Sequence, residues 1–151
     1  MFNLEIISNS TQKDEDGGVF CIVKIIMNNF EEIDKMYLHD WKQDNYIKQW
    51  KIGLDRILKH GLESSLLFTS VLPQGANFAW ILYLVDKKIM IQQRVFLPGY
   101  NLAHADFSLE GDFYKYIGQR KTHSEELEKY SEWIIDLKDL QDFANKLKTH
   151  E

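Results

Sequence analysis

Three runs of β-branched and aromatic residues follow one another between Ser64 and Phe96, joined by turns too short to carry a crossover. They are Ser64–Leu72, Asn77–Val85 and Ile89–Phe96, with Pro73-Gln74-Gly75-Ala76 and Asp86-Lys87-Lys88 between them. Such runs, punctuated in this way, predict an antiparallel meander. The middle run is apolar at both parities, with Phe78, Trp80, Leu82 and Leu84 on one side and Ala79, Ile81, Tyr83 and Val85 on the other. A strand apolar on both faces needs cover above and below, which places it in the interior of its sheet. The rest of the chain has to supply that cover.

Before the meander, Phe2 to Ser8 reads as a strand, Ser10 to Gly18 as a polar turn, and Val19 to Met27 as a second strand folding back on the first. Asn28-Asn29 breaks the run. Phe30 to Trp41 fits either a helical segment or a strand, and the composition favours a short strand near Met36 to Leu38. From Asp44 to His60, Tyr46, Ile47, Trp50, Gly53, Leu54, Ile57 and Leu58 recur at helical spacing, which predicts a helix over about 44–60 with a broad apolar stripe. Asp44 or Asn45 suits its start, and Gly61 its left-handed stop.

After the meander, Pro98 to Asp112 is a loop and Phe113 to Ile117 a short aromatic element. Ser131 to Asp136 reads as a last strand, with Asp136 capping a terminal helix over about 137–148. Leu137, Leu140, Phe143, Ala144 and Leu147 share one face of that helix. The reading is a single α+β domain spanning residues 1–151, an antiparallel twisted sheet with a central meander packed by the two helices.

The one cysteine, Cys21, lies in an apolar run with no His or second Cys near it, as a buried inert thiol would. No segment approaches the ~20 apolar residues that span a bilayer, and no secretory leader is visible at Met1, so a cytoplasmic protein with no membrane partner is expected. The net charge of −5 is unevenly placed: −5 over residues 1–45, +4 over 46–100 and −4 over 101–151. Nucleic-acid binders show the opposite balance, whereas an acidic surface suits a basic protein.

Residues able to carry chemistry do not converge. Gly17-Gly18 sits in a turn rather than after a strand, and no serine has a nucleophile-elbow context. The histidines are scattered, and the single tight pairing, His104-Ala105-Asp106, reads as a solvated turn. Neither a catalytic residue, a metal nor another cofactor is expected, and the chain does not read as an enzyme. Arg94, Arg120 and Lys121 with Tyr116 and Tyr100 would make a basic, aromatic patch for single strands, although charge on Arg94 also suits an edge strand. Trp50, Trp80 and Trp133 fall in apolar stripes and are expected in the core, while Trp41, between Asp40 and Lys42, is expected to be an exposed binding anchor.

The order of several segments resembles a known family. They are Tyr46-Ile47-Lys48-Gln49-Trp50-Lys51-Ile52-Gly53-Leu54, Ser65-Leu66-Leu67-Phe68-Thr69-Ser70, Asn77-Phe78-Ala79-Trp80-Ile81-Leu82-Tyr83 and Ile91-Gln92-Gln93-Arg94-Val95-Phe96-Leu97. Tyr116-Ile117-Gly118-Gln119-Arg120-Lys121-Thr122-His123 and Ser131-Glu132-Trp133-Ile134-Ile135-Asp136-Leu137 complete the set. Over roughly residues 38–147 the chain resembles the immunity proteins of bacterial contact-dependent growth inhibition systems.

The resemblance implies a cytosolic protein that binds and neutralises, one to one, the C-terminal toxin domain of a cognate CdiA effector. It also implies a nuclease as the toxin and a fold similar to the Whirly single-stranded DNA-binding proteins. None of the matched motifs is carried over as a contact. The charge distribution supplies the candidate toxin-binding residues: Glu31, Glu32, Asp34, Asp40, Trp41 and Asp44, with Asp106, Glu110 and Asp112 as a second cluster. They would occlude a cationic groove by standing in for phosphates, so no nucleic acid is expected as a partner. The alternative is a Whirly-like regulator that binds single-stranded nucleic acid.

Overall fold

Two antiparallel sheets and two helices make up the computed structural model, which describes residues 1–99, 102 and 105–149. The first sheet is built on β3 (Val19–Met27). Along one side of β3 lie β1 (Phe2–Ile6) and the short β2 (Gln12–Lys13), and along the other lies β4 (Phe30–Tyr37). Asn28 makes the β3–β4 turn at φ +55°, a left-handed value that Asn tolerates because its short polar side chain bonds locally. Its Oδ1 accepts from the Met1 amino group at 2.7 Å and its Nδ2 donates to Ile134 O at 3.0 Å.

The strand β4 is longer than the stretch near Met36 to Leu38 that the sequence suggested. The register puts Phe30, Glu32, Asp34 and Met36 opposite Met27, Ile25, Val23 and Cys21, on the inward face. Two carboxylates at inward positions break the apolar alternation that would have marked the strand.

The second sheet has the order β5 (Ser64–Ser70), β6 (Asn77–Val85), β7 (Lys88–Phe96), β8 (Trp133–Asp136). The meander is as predicted, with the doubly apolar β6 between two neighbours. Asp86 and Lys87, both at positive φ, form the two-residue turn whose twist suits a hairpin.

Cover for the two faces of β6 comes from different places. On the Trp80 and Leu82 side the first sheet packs: the Phe30 and Trp133 rings lie 4.5 Å apart, and Gln93 Nε2 donates to Glu32 Oε2 at 2.9 Å. On the Ala79, Ile81 and Tyr83 side the segment after β7 folds back. There Phe113, at the start of a 3-10 turn (Phe113–Tyr116), stacks edge-on against Phe68 at 5.0 Å. Arg94 Nη1 on the same side donates to Ile117 O at 2.5 Å. Cys21, Met36, Trp80, Leu82 and Phe113 are fully buried between these layers.

Helix α1 (Gln43–Leu58) has a narrower task than covering the sheet's face. It lies along the free edge of β5. Alternate residues of that strand turn their backbone groups away from β6, and side chains of α1 meet them. Gln49 Nε2 donates to Leu66 O and Gln49 Oε1 accepts from Phe68 N, each at 2.9 Å. Trp50 Nε1 donates to Phe68 O at 2.8 Å, and the Tyr46 hydroxyl accepts from Val71 N at 2.7 Å. Contact this close requires Gly53, where a Cβ would stand 2.6 Å from Leu66 O. An edge satisfied in this way cannot accept a further strand.

The caps differ in detail from expectation. Lys42 rather than Asp44 or Asn45 is the N-cap, and Asn45 reaches back to accept from Lys42 N at 2.8 Å. Gly61 takes φ +64° as predicted. At α2 (Leu137–Thr149), the Asp136 carboxylate pairs with Lys88 instead of capping, and Asp139 Oδ2 accepts from Asp136 N at 3.0 Å. The apolar face of α2 closes the end of the first sheet, with Phe143 edge-on to Phe2 at 5.1 Å.

Candidate functional site

The acidic residues singled out by charge fall into two groups. One runs along β4. Glu31 is on the outer face, 3.3 Å from Lys24 Nζ across the strand pair. Glu32 and Asp34 point inward. Burial pushes the Asp34 carboxyl up to about 7, and the neighbouring Glu32 charge and hydrogen bond add to the shift.

That shift has a sign that can be checked. Asp34 holds its proton in the folded chain over a range where the unfolded chain has released it, so its contribution to stability falls as pH rises from about 4 to about 7. Asp34→Asn removes the ionisation and is expected to gain stability over the parent as pH rises from 5 to 8, measured by urea unfolding. Parallel pH curves for the two proteins would count against the assignment.

The second group surrounds the start of α1. Asp40 Oδ1 lies 2.9 Å from His39 Nδ1, and Asp44 is exposed in the first turn, where the helix dipole favours it. Trp41 between them is a correction to the sequence reading. It is 4% exposed, donates from Nε1 to Phe107 O at 2.8 Å, and packs edge-on against Tyr46, Phe68 and Phe113. The charged neighbours of Trp41 are on the surface while its ring fills the core, a distinction that flanking composition cannot make.

By reaching Phe107, Trp41 joins the Asp40–Asp44 segment to the loop that carries the other acids. That loop is tightly folded. Asp106 accepts from Ser108 N at 2.9 Å, Asp112 accepts from Asp106 N at 2.9 Å, and a Cβ on Gly111 would stand 1.8 Å from Asp106 O. The Asp106 amide and the Lys115 ammonium, 3.0 Å away, hold the Asp112 carboxyl below its usual range. Glu110 is exposed on the same loop. Trp41 thus ties the segment that carries Asp40 and Asp44 to the loop that carries Asp106 and Asp112, while Glu31, Glu32 and Asp34 lie along β4.

A cleft of about 1040 Å³ opens where β8 stops and β7 continues. Phe30, Glu32, Gln93, Val95, Tyr116 and Lys121 are among its lining residues. The basic, aromatic patch considered from the sequence falls partly here, but its arginines are engaged internally. Arg94 donates to Ile117 O and to the Tyr83 hydroxyl, and Arg120 forms a two-pronged pair with Glu132 at 2.5 and 2.8 Å. Tyr100 and His104 lie outside the described residues. Among the described residues no group of three His, Cys, Asp or Glu side chains is placed to hold a metal ion, and no helix is long and apolar enough to cross a membrane.

Sequence reasoning missed Phe78 and Val95, half-exposed apolar residues directly opposite each other on β6 and β7. Counting outward from the Asp86-Lys87 turn, with Val85 opposite Lys88, would have paired them.

Comparison with known proteins places this arrangement. The family described as the CdiI N-terminal domain matches residues 36–143. The immunity protein CdiI of Enterobacter cloacae subsp. cloacae is 32% identical over 145 residues, covering 94% of this chain and 97% of that protein. A chain of the CdiA-CT/CdiI toxin and immunity complex from Enterobacter cloacae superposes with a TM-score of 0.84 at 29% identity, over 99% of each chain. The match thus runs through both sheets and both helices, and the chain belongs to the CdiI immunity protein family.

Proposed function

We propose that this protein binds and neutralises the C-terminal toxin domain of a cognate CdiA effector, one to one, in the cytoplasm of the cell that makes it. The observation that carries this reading is the whole-chain likeness to a protein solved as part of a toxin and immunity complex. Inhibition is stoichiometric: the protein occludes the toxin and performs no reaction. The toxin's active groove is cationic, as a nuclease's is, and the exposed acids Glu31 on β4 and Asp40 and Asp44 at the start of α1 face it.

Glu31, Asp40, Asp44, Asp106, Glu110 and Asp112 are all exposed, so their worth lies in steering the encounter more than in holding the complex. Reversing Asp40 and Asp44 together to Lys is expected to slow association with the toxin domain by about tenfold at low salt, with the difference shrinking as salt is raised. Stopped-flow association rates across a salt series measure this. Equal rates for parent and variant at every salt concentration would exclude a charge-led encounter.

A further inference from the structure

The two outer edges of the second sheet are treated differently. On β5, Gln49 and Trp50 of α1 occupy the outward backbone groups of Leu66 and Phe68, and Tyr46 that of Val71 just beyond the strand. On β7, pairing with β8 ends at Ile91 while the strand runs on to Phe96. The two-residue turn makes Val85 and Lys88 a bonded pair, so Gln92, Arg94 and Phe96 turn their N–H and C=O groups toward β6. Gln93 and Val95 turn theirs the other way, into the cleft, and among the described residues no backbone group meets them.

An uncovered stretch of edge is a template for another strand, and proteins that do not use one usually blunt it. Here the flanking chemistry is that of an interface. The Val95 side chain stands opposite Phe78 on β6, and Leu97 follows, all three at least 37% exposed. Glu32 lines the same cleft, held by Gln93, with Asp34 two residues further along the inward face of β4.

The parity of β7 also sorts the charges. Arg94 lies on the opposite face, bound to Ile117 O and Tyr83, and the side of Gln93 and Val95 presents the carboxylate of Glu32. Among the described residues lining the cleft Glu32 is the one acid, and Lys121 lines it too. The apolar strip beside open backbone groups therefore fits an extended segment of alternating apolar side chains that sets one basic group at Glu32.

We propose that an extended segment of the toxin domain adds to the free edge of β7, bonding the backbone of Gln93 and Val95, setting apolar side chains on Phe78 and Val95 and extending one cationic side chain to Glu32. This rests on the toxin-binding reading above, and adds to it where on the chain the toxin is held.

The test uses the full chain and its cognate toxin domain. Val95→Pro removes an N–H that points away from β6, at a position where an edge strand accepts proline, so the fold is expected to persist. Its affinity for the toxin is expected to fall about tenfold or more, the worth of a lost backbone bond and a blocked edge. Glu32→Gln is expected to weaken binding chiefly at low salt. Amide exchange is measured alongside on the unaltered protein, and the Gln93 and Val95 amides are expected to become protected only in the complex. That measurement decides the matter even if Val95→Pro unfolds.

Unprotected Gln93 and Val95 amides in a formed complex would overturn the placement while leaving toxin binding intact. Failure of the unaltered protein to bind the toxin would instead remove the reading on which the placement depends. Protection that appears with rising protein concentration and no toxin would assign the edge to a second copy of this chain and overturn the proposal.

Discussion

Gln49→Leu is expected to lower the unfolding free energy by about 3–4 kcal/mol, although leucine is an equally good helix former of similar size. Gln49 is fully buried, and its amide satisfies Leu66 O and Phe68 N on β5 while touching the Tyr114 hydroxyl at 3.1 Å. Leucine would leave a carbonyl and an N–H of the strand edge buried without partners, and each orphaned group costs about 1–3 kcal/mol. In a domain of this size that is a fall in Tm of roughly 10 °C, readable by circular dichroism. A loss below about 1 kcal/mol would mean that α1 can move away and let water reach the edge.

Trp41→Ala is expected to cost about 3–5 kcal/mol, the range for deleting a large aromatic side chain from a packed core. Three ring contacts and the bond to Phe107 O disappear together, and with them the tie between the α1 start and the Asp106–Asp112 loop. Trp41→Phe is the informative companion. It keeps most of the apolar volume but loses part of the fused ring and the N–H that Phe107 O accepts, so it should cost about 1–3 kcal/mol in stability and leave toxin affinity unchanged. A large loss of affinity in Trp41→Phe without a matching loss of stability would restore Trp41 as a direct anchor. Melting curves and titration with the toxin domain separate the two.

These residues show how the chain divides what can be read from what cannot. Local signals were sufficient where one segment sets its own structure. The Asp86-Lys87 turn and the doubly apolar Asn77–Val85 run determined the meander, and the Tyr46 to Leu58 periodicity with Gly61 determined α1 to within two residues at each end. Family membership was legible too, because the order of core and turn segments survives where contact surfaces diverge.

β4 was obscured because Glu32 and Asp34 face inward, so the period-two pattern that marks a half-buried strand was absent. Trp41 was misplaced because charge on its neighbours reports which way they point and nothing of the ring between them. The candidate interface was half visible. The acids were found by counting charge, but Phe78 and Val95 look like ordinary core residues until the sheet they sit in is seen to extend past its cover.

The sequence by itself determined which stretches are strands of a meander, where the two helices lie and which family the chain belongs to. Each of these depends on residues within a few positions of one another, or on the order of such stretches. Only the tertiary structure decided that the strands divide into two stacked sheets, that α1 closes an edge, and that β8 stops short of the end of β7. Those outcomes depend on which backbone groups and side chains from distant segments satisfy each other, and the same local patterns allow several such pairings.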